Sequence, residues 1–189
     1  MAVPKGAFGI TTPRDMLAKL TREISRLEKS KNNKEELVDT GLNCALTAWH
    51  IVDWVWREHF YAKPETWKQF GVTQAGGWRI PDPFRTSLTK QCQELEFCEG
   101  LANNIKHAVV ITFDSRTSAR STPVGAWSEY ENGVIGGQLP GGAGAVEVNF
   151  EYVLKISDND NDGADRYAKD VFLSVKKFWS EFMDEHRIG

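Results

Sequence analysis

The stretch NCALTAWHIVDWVWR, residues 43–57, decides how the chain is read. Its polar members, Asn43, Thr47, His50, Asp53 and Arg57, recur at steps of four, three, three and four, which on an α-helix form one stripe. The other positions are apolar or aromatic, including Trp49, Trp54 and Trp56. A helix apolar nearly all round belongs at the centre of a fold, with neighbours on most sides. The tryptophans read as core. Two readings fit the stripe. In one, His50 is solvated and Asp53 pairs with Arg57 one turn on. In the other the stripe lines a cleft, where Asp53 orients the His50 ring and Arg57 holds an anion.

Helical signals surround this segment. Thr12, Pro13 and Asp15 make a capping sequence, and Leu17, Leu20, Ile24 and Leu27 follow at helical spacing. Asn33 and Glu36 open the central helix, which extends to about Tyr61 or Ala62, before Pro64. Residues 63–85, rich in Gly, Pro and aromatics, read as a long connection. A third helix is expected over about 87–104, with Leu88, Cys92, Leu95, Cys98, Leu101 and Ile105 on one side.

Past His107 the pattern changes. Residues 108–113 are β-rich, Asn132-Gly133 is a hairpin signal, and VEVNFEYVLKIS alternates. Val146, Val148, Phe150, Tyr152, Leu154 and Ile156 face one way, which suits an antiparallel sheet with one buried face. A last helix carries Val171, Phe172, Val175, Phe178, Trp179 and Phe182. Strands bunched together rather than alternating with helices predict an α+β fold. The expected architecture is a mostly helical bundle of about four helices, with a small antiparallel β insertion before the last helix. The chain reads as one domain over 1–189. Residues 12–107 form the helical part, 108–157 the β-rich insertion, and 162–187 the helix completing the bundle.

Composition limits the function. The 189 residues are 41% hydrophobic and 26% charged, which is globular, and the formal charge of −3 excludes a broad nucleic-acid-binding surface. A small local basic site is compatible with it. Cys44, Cys92 and Cys98 form no CxxC pair and suit buried thiols in a reducing compartment. No apolar run reaches the roughly 20 residues of a membrane span, so the expectation is a cytoplasmic protein without a membrane partner. Seven tryptophans make a homodimer interface a further expectation.

A second polar cassette ends the third helix. In LANNIKH, Asn103 and His107 stand one turn apart with Lys106 beside them. His107 reads either as a helix-end charge or as a general acid or base, with Asn103 positioning a substrate. Here the chain resembles the HEPN (higher eukaryotes and prokaryotes nucleotide-binding) superfamily, whose signature is an arginine, commonly a polar residue after it, and a histidine a turn later. Asn103 and His107 match the polar residue and the histidine, and Ala102 stands where the arginine is expected. The resemblance covers residues 12–107 and 162–187. It implies a helical, often dimeric protein directed at a nucleotide or RNA, many such proteins being metal-independent ribonucleases. The catalytic candidates are then His107, His50 and Asp53. The substrate-binding candidates are Asn103, Lys106, Arg57 and Asn43, with Arg57 or Lys106 supplying the missing cation.

Other motifs compete. Asp158, Asp160, Asp162 and Gly163 open like a calcium loop, but Lys169 stands at the twelfth position, and an acidic turn capping the last helix reads better. His50, Asp53 and His107 together would make a two-histidine, one-carboxylate metal set. The glycine-rich residues 137–145 lack the Lys-Ser/Thr of a phosphate loop. His59 and His186 read as surface residues near helix ends. No motif calls for a cofactor. Beside the nucleotide or RNA reading stand a non-catalytic dimeric interaction module and a metal-dependent bundle enzyme.

Overall fold

The Thr12 hydroxyl accepts from the Asp15 N–H at 3.1 Å, and the Asp15 carboxylate accepts from the Thr12 N–H at 3.0 Å. This reciprocal box starts α1 (Pro13–Lys29). Asn33 does the same for α2 (Lys34–Val55), its side chain accepting from the Glu35 and Glu36 N–H groups. In this computed structural model the described residues are 9–76, 79–106, 117–125, 150–158 and 165–189. Beyond Val55 the helix widens into a π-helical turn, Trp56–Phe60, and then a 3-10 segment spans Pro64–Phe70.

The expected third helix is two. Helix α3 (Asp82–Gln91) starts earlier, with Pro83 in its first turn, where the missing N–H costs nothing. Helix α4 (Gln93–Lys106) follows directly. Between them Cys92 is extended (φ −139°, ψ 98°), yet its N–H still bonds to the Leu88 carbonyl. The reversal lets Leu88, Cys92 and Leu95 all reach the core.

The sheet is antiparallel in the order β1-β2-β3, with β1 at Thr117–Gly125, β2 at Phe150–Asp158 and β3 at Asp165–Tyr167. Leu154 and Ile156, two apart on β2, are both buried, as alternation requires. Strand β3 runs directly into α5 (Ala168–Glu185), which buries Val171, Phe172, Val175, Trp179 and Phe182. The fold is α+β and helix-dominated, with the small sheet ahead of the last helix. The strand expected at 108–113, the Asn132-Gly133 hairpin, Val146, Val148 and the residues 137–145 lie outside the described residues. So do Asp160, Asp162 and Gly163; Asp158 ends β2.

Ion pairs fix the helix directions. Lys169 meets Glu28 at 2.8 Å and Arg14 meets Asp184 at 2.6 Å, so α5 runs antiparallel to α1 and parallel to α2. Arg166, two residues before α5, pairs with Glu94 at the start of α4. Farther along α4, Glu99 pairs with Arg85, and the neighbouring Phe84 packs on Trp56 (centroids 5.0 Å apart) at the end of α2. Helix α4 therefore ascends in the same direction as α2. Inside the bundle the Trp179 indole N–H donates to the Ala48 carbonyl at 3.1 Å. Among the described residues no helix is long and apolar enough to cross a membrane.

Candidate functional site

The stripe of α2 is divided by the fold. Asn43, His50 and Arg57, seven residues apart in turn, are exposed, and Asp53 is half-buried. Thr47 is buried against α1, where its hydroxyl accepts from the Lys19 ammonium at 2.6 Å. Lys19 also meets the buried Glu23 at 3.3 Å, and Arg26 meets the same carboxylate at 2.9 Å. Thr47 thus belongs to an ion network between two helices. What remains of the stripe is an outward line of amide, imidazole and guanidinium, with Asp53 at its edge. Asp53 and Arg57 each engage a partner. Trp49 and Trp56 are buried and Trp54 is half-buried, in keeping with a core role.

On α4, Ala102 is 5% exposed and Asn103 is half-buried. Lys106 is the last residue of that helix. His107 lies outside the described residues, so its position relative to His50 and Asp53 does too. The parallel course of α2 and α4 sends Asn103 and Lys106 toward the end of α2 that carries Asp53 and Arg57.

One neighbour of this cassette escaped the sequence reading. Glu99, one turn before Asn103, is half-buried, and burial pushes its carboxyl above the usual range, against the pull of Arg85. Arg85 donates to Glu99 at 3.3 Å and to Asp82, while its Nε is buried without an acceptor. The i,i+4 relation of Glu99 to Asn103 was the available signal. The partner from α3 was not.

The three cysteines are free and buried. Burial raises the Cys44 thiol to about 12 and the Cys92 thiol to about 11, and lifts Cys98 well above its ordinary value. Burial thus disfavours the thiolate, the nucleophilic form, at all three.

His59 and His186 lie at helix ends, and both are half-buried rather than fully exposed. The His186 ring lies 4.4 Å from Phe182 and 5.3 Å from Phe60 between centroids, and the His59 ring lies 4.8 Å from Phe60. Burial lowers both imidazoles below their ordinary value, and Lys63 adds to the effect at His59. Among the described residues no group of three His, Cys, Asp or Glu side chains is placed to hold a metal ion. Compared with known proteins, the chain matches no family model, no curated protein and no solved structure.

Proposed function

We propose that this chain is a HEPN-like protein that binds a nucleotide or single-stranded RNA along the outer face of α2, next to the end of α4. The observation that carries this reading is the exposed line of Asn43, His50 and Arg57 on a helix that packs parallel to the one bearing Asn103 and Lys106. A cytoplasmic location fits it. If the site cleaves RNA, the ribose 2′-hydroxyl attacks the adjacent phosphorus and the 5′-oxygen leaves. His107 exchanges the proton, and Arg57 or Lys106 stabilises the phosphorane charge. No metal is required.

Ala102 favours a second reading. A small residue buried at the position of the signature arginine puts no cation there, and a non-catalytic, dimeric interaction module needs none.

Binding and cleavage of labelled single-stranded RNA in the presence of a metal chelator test both. Under the first reading Arg57→Ala weakens binding about tenfold, and His107→Ala abolishes cleavage while sparing binding. Cleavage retained by His107→Ala removes the ribonuclease chemistry. Absence of RNA and nucleotide binding by the wild type removes the first reading. A dimer in analytical ultracentrifugation then favours the second.

A further inference from the structure

Beside the sheet, α1, α2, β2, β3 and α5 all contribute to the lining of one cavity of about 240 Å³. Part of that lining is apolar: Leu27 of α1, Leu37 of α2 and Leu154 of β2, each of them buried. Tyr167, the last residue of β3, also lines it and is 54% exposed. The Lys155 ammonium lies 5.8 Å from the centre of the Tyr167 ring. An aromatic left open next to three leucines is a surface that an apolar group covers.

The polar lining carries both signs. Glu28 and Asp170 bring carboxylates to the cavity, and Lys31 and Lys169 bring ammoniums. Lys169 meets Glu28 at 2.8 Å, and Lys31 and Lys176 also act on that carboxylate. Both members of the Lys169–Glu28 pair are exposed, so the pair holds little energy of its own and opens readily to a ligand. Two acids set against two lysines disfavour a ligand of a single charge, which gains from one kind of group and is repelled by the other. A zwitterion meets both. The volume lies below the roughly 300–1,000 Å³ of sites for drug-sized molecules, and it suits one amino acid the size of leucine or phenylalanine.

We propose that this cavity binds a free α-amino acid with an apolar or aromatic side chain. The side chain packs on the leucines and Tyr167. The α-carboxylate accepts from Lys31 and Lys169, and the α-ammonium donates to Asp170 and Glu28. Every charge lining the cavity then has an opposite neighbour. The site shares no residue with the proposed α2–α4 face, so the failure of either leaves the other standing.

L-Phenylalanine is the probe, with hydrocinnamate and phenethylamine as analogues that lack its ammonium and its carboxylate respectively. Binding to the full chain is followed by ligand-observed NMR titration at neutral pH. Each analogue is expected to bind about tenfold more weakly than L-phenylalanine. Lys31→Gln and Asp170→Asn change exposed residues, and each should weaken L-phenylalanine about tenfold. Asp170→Asn should not weaken hydrocinnamate, which has no ammonium for that carboxylate to hold. No binding of L-phenylalanine at millimolar concentration overturns the proposal. So does an analogue that binds as tightly, which leaves an apolar slot only, and so does unchanged binding in both variants, which puts the amino acid elsewhere. If either variant does not fold, Tyr167→Ser replaces it, with the same expected loss of L-phenylalanine binding.

Discussion

Leu154 of β2 closes over Gly41 of α2, its side-chain end occupying the space in which a Cβ at position 41 would stand, with Leu27 of α1 beside it. The sheet is thereby docked on the helices through a glycine in mid-helix, a position where glycine costs about 1 kcal/mol relative to alanine.

Gly41→Ala therefore sets a propensity gain against overpacking of a buried contact, which costs about 1–3 kcal/mol. Leu154 is buried, so making way for a methyl at position 41 shifts a packed side chain. The expected outcome is a net loss of about 1 kcal/mol in urea unfolding, and a larger one for Gly41→Val. Adding Leu154→Ala to Gly41→Ala should cost less than the sum of the two single changes, because one vacates the space the other needs.

The division of the α2 stripe makes opposite predictions for its members. Thr47→Val removes the acceptor for Lys19 inside the α1–α2 ion network and should cost about 1 kcal/mol. His50→Ala, at an exposed site, should change stability by no more than about 0.5 kcal/mol. Equal losses for the two in denaturant titrations would show that the stripe is not split in this way.

Acid should destabilise the end of the bundle at His59 and His186. Both have folded values below the ordinary 6.5, so the unfolded chain binds protons more readily. Their contribution is complete above about pH 6.5 and is lost as pH falls through the folded values. Glu99 acts in the opposite sense: its raised value means that the folded state holds its proton longer, and acidification toward its ordinary range relieves a cost. The double variant His59→Gln, His186→Gln should flatten the fall in melting temperature between about pH 6.5 and 5. An unchanged slope would exclude the pair as its source.

The thiols should be silent until the chain unfolds. With Cys44 and Cys92 raised to about 12 and about 11, and Cys98 fully enclosed, almost no thiolate exists near pH 8. A chromogenic disulfide reagent should react slowly with the native protein and rapidly with all three cysteines in denaturant. Fast reaction of one thiol in the native state would place it outside the core.

Local order was written plainly in the residues. Thr12 and Asn33 start their helices because side-chain oxygens satisfy nearby N–H groups, and this needs only a few residues of chain. The buried faces of α1 and α5 follow from apolar spacing, since the helical period alone aligns Leu20, Ile24 and Leu27, or Val171, Val175 and Trp179. The break at Cys92 was hidden because no glycine or proline marks it; packing on both sides of the turn imposes it. Strand β3, three residues long, has too little pattern of its own and exists through its pairing with β2.

The opening helix marks the same boundary. Sequence determined that residues 43–57 form a helix with its tryptophans inward and a polar line along it, because periodicity is a property of the chain itself. Only the tertiary structure decided that Thr47 turns to Lys19 while Asn43, His50 and Arg57 face outward. It alone joined Glu99 to Arg85 and set the His59 and His186 rings against Phe60. Which polar groups meet, and how much water they keep, depends on elements far apart in the chain, and no local pattern encodes that.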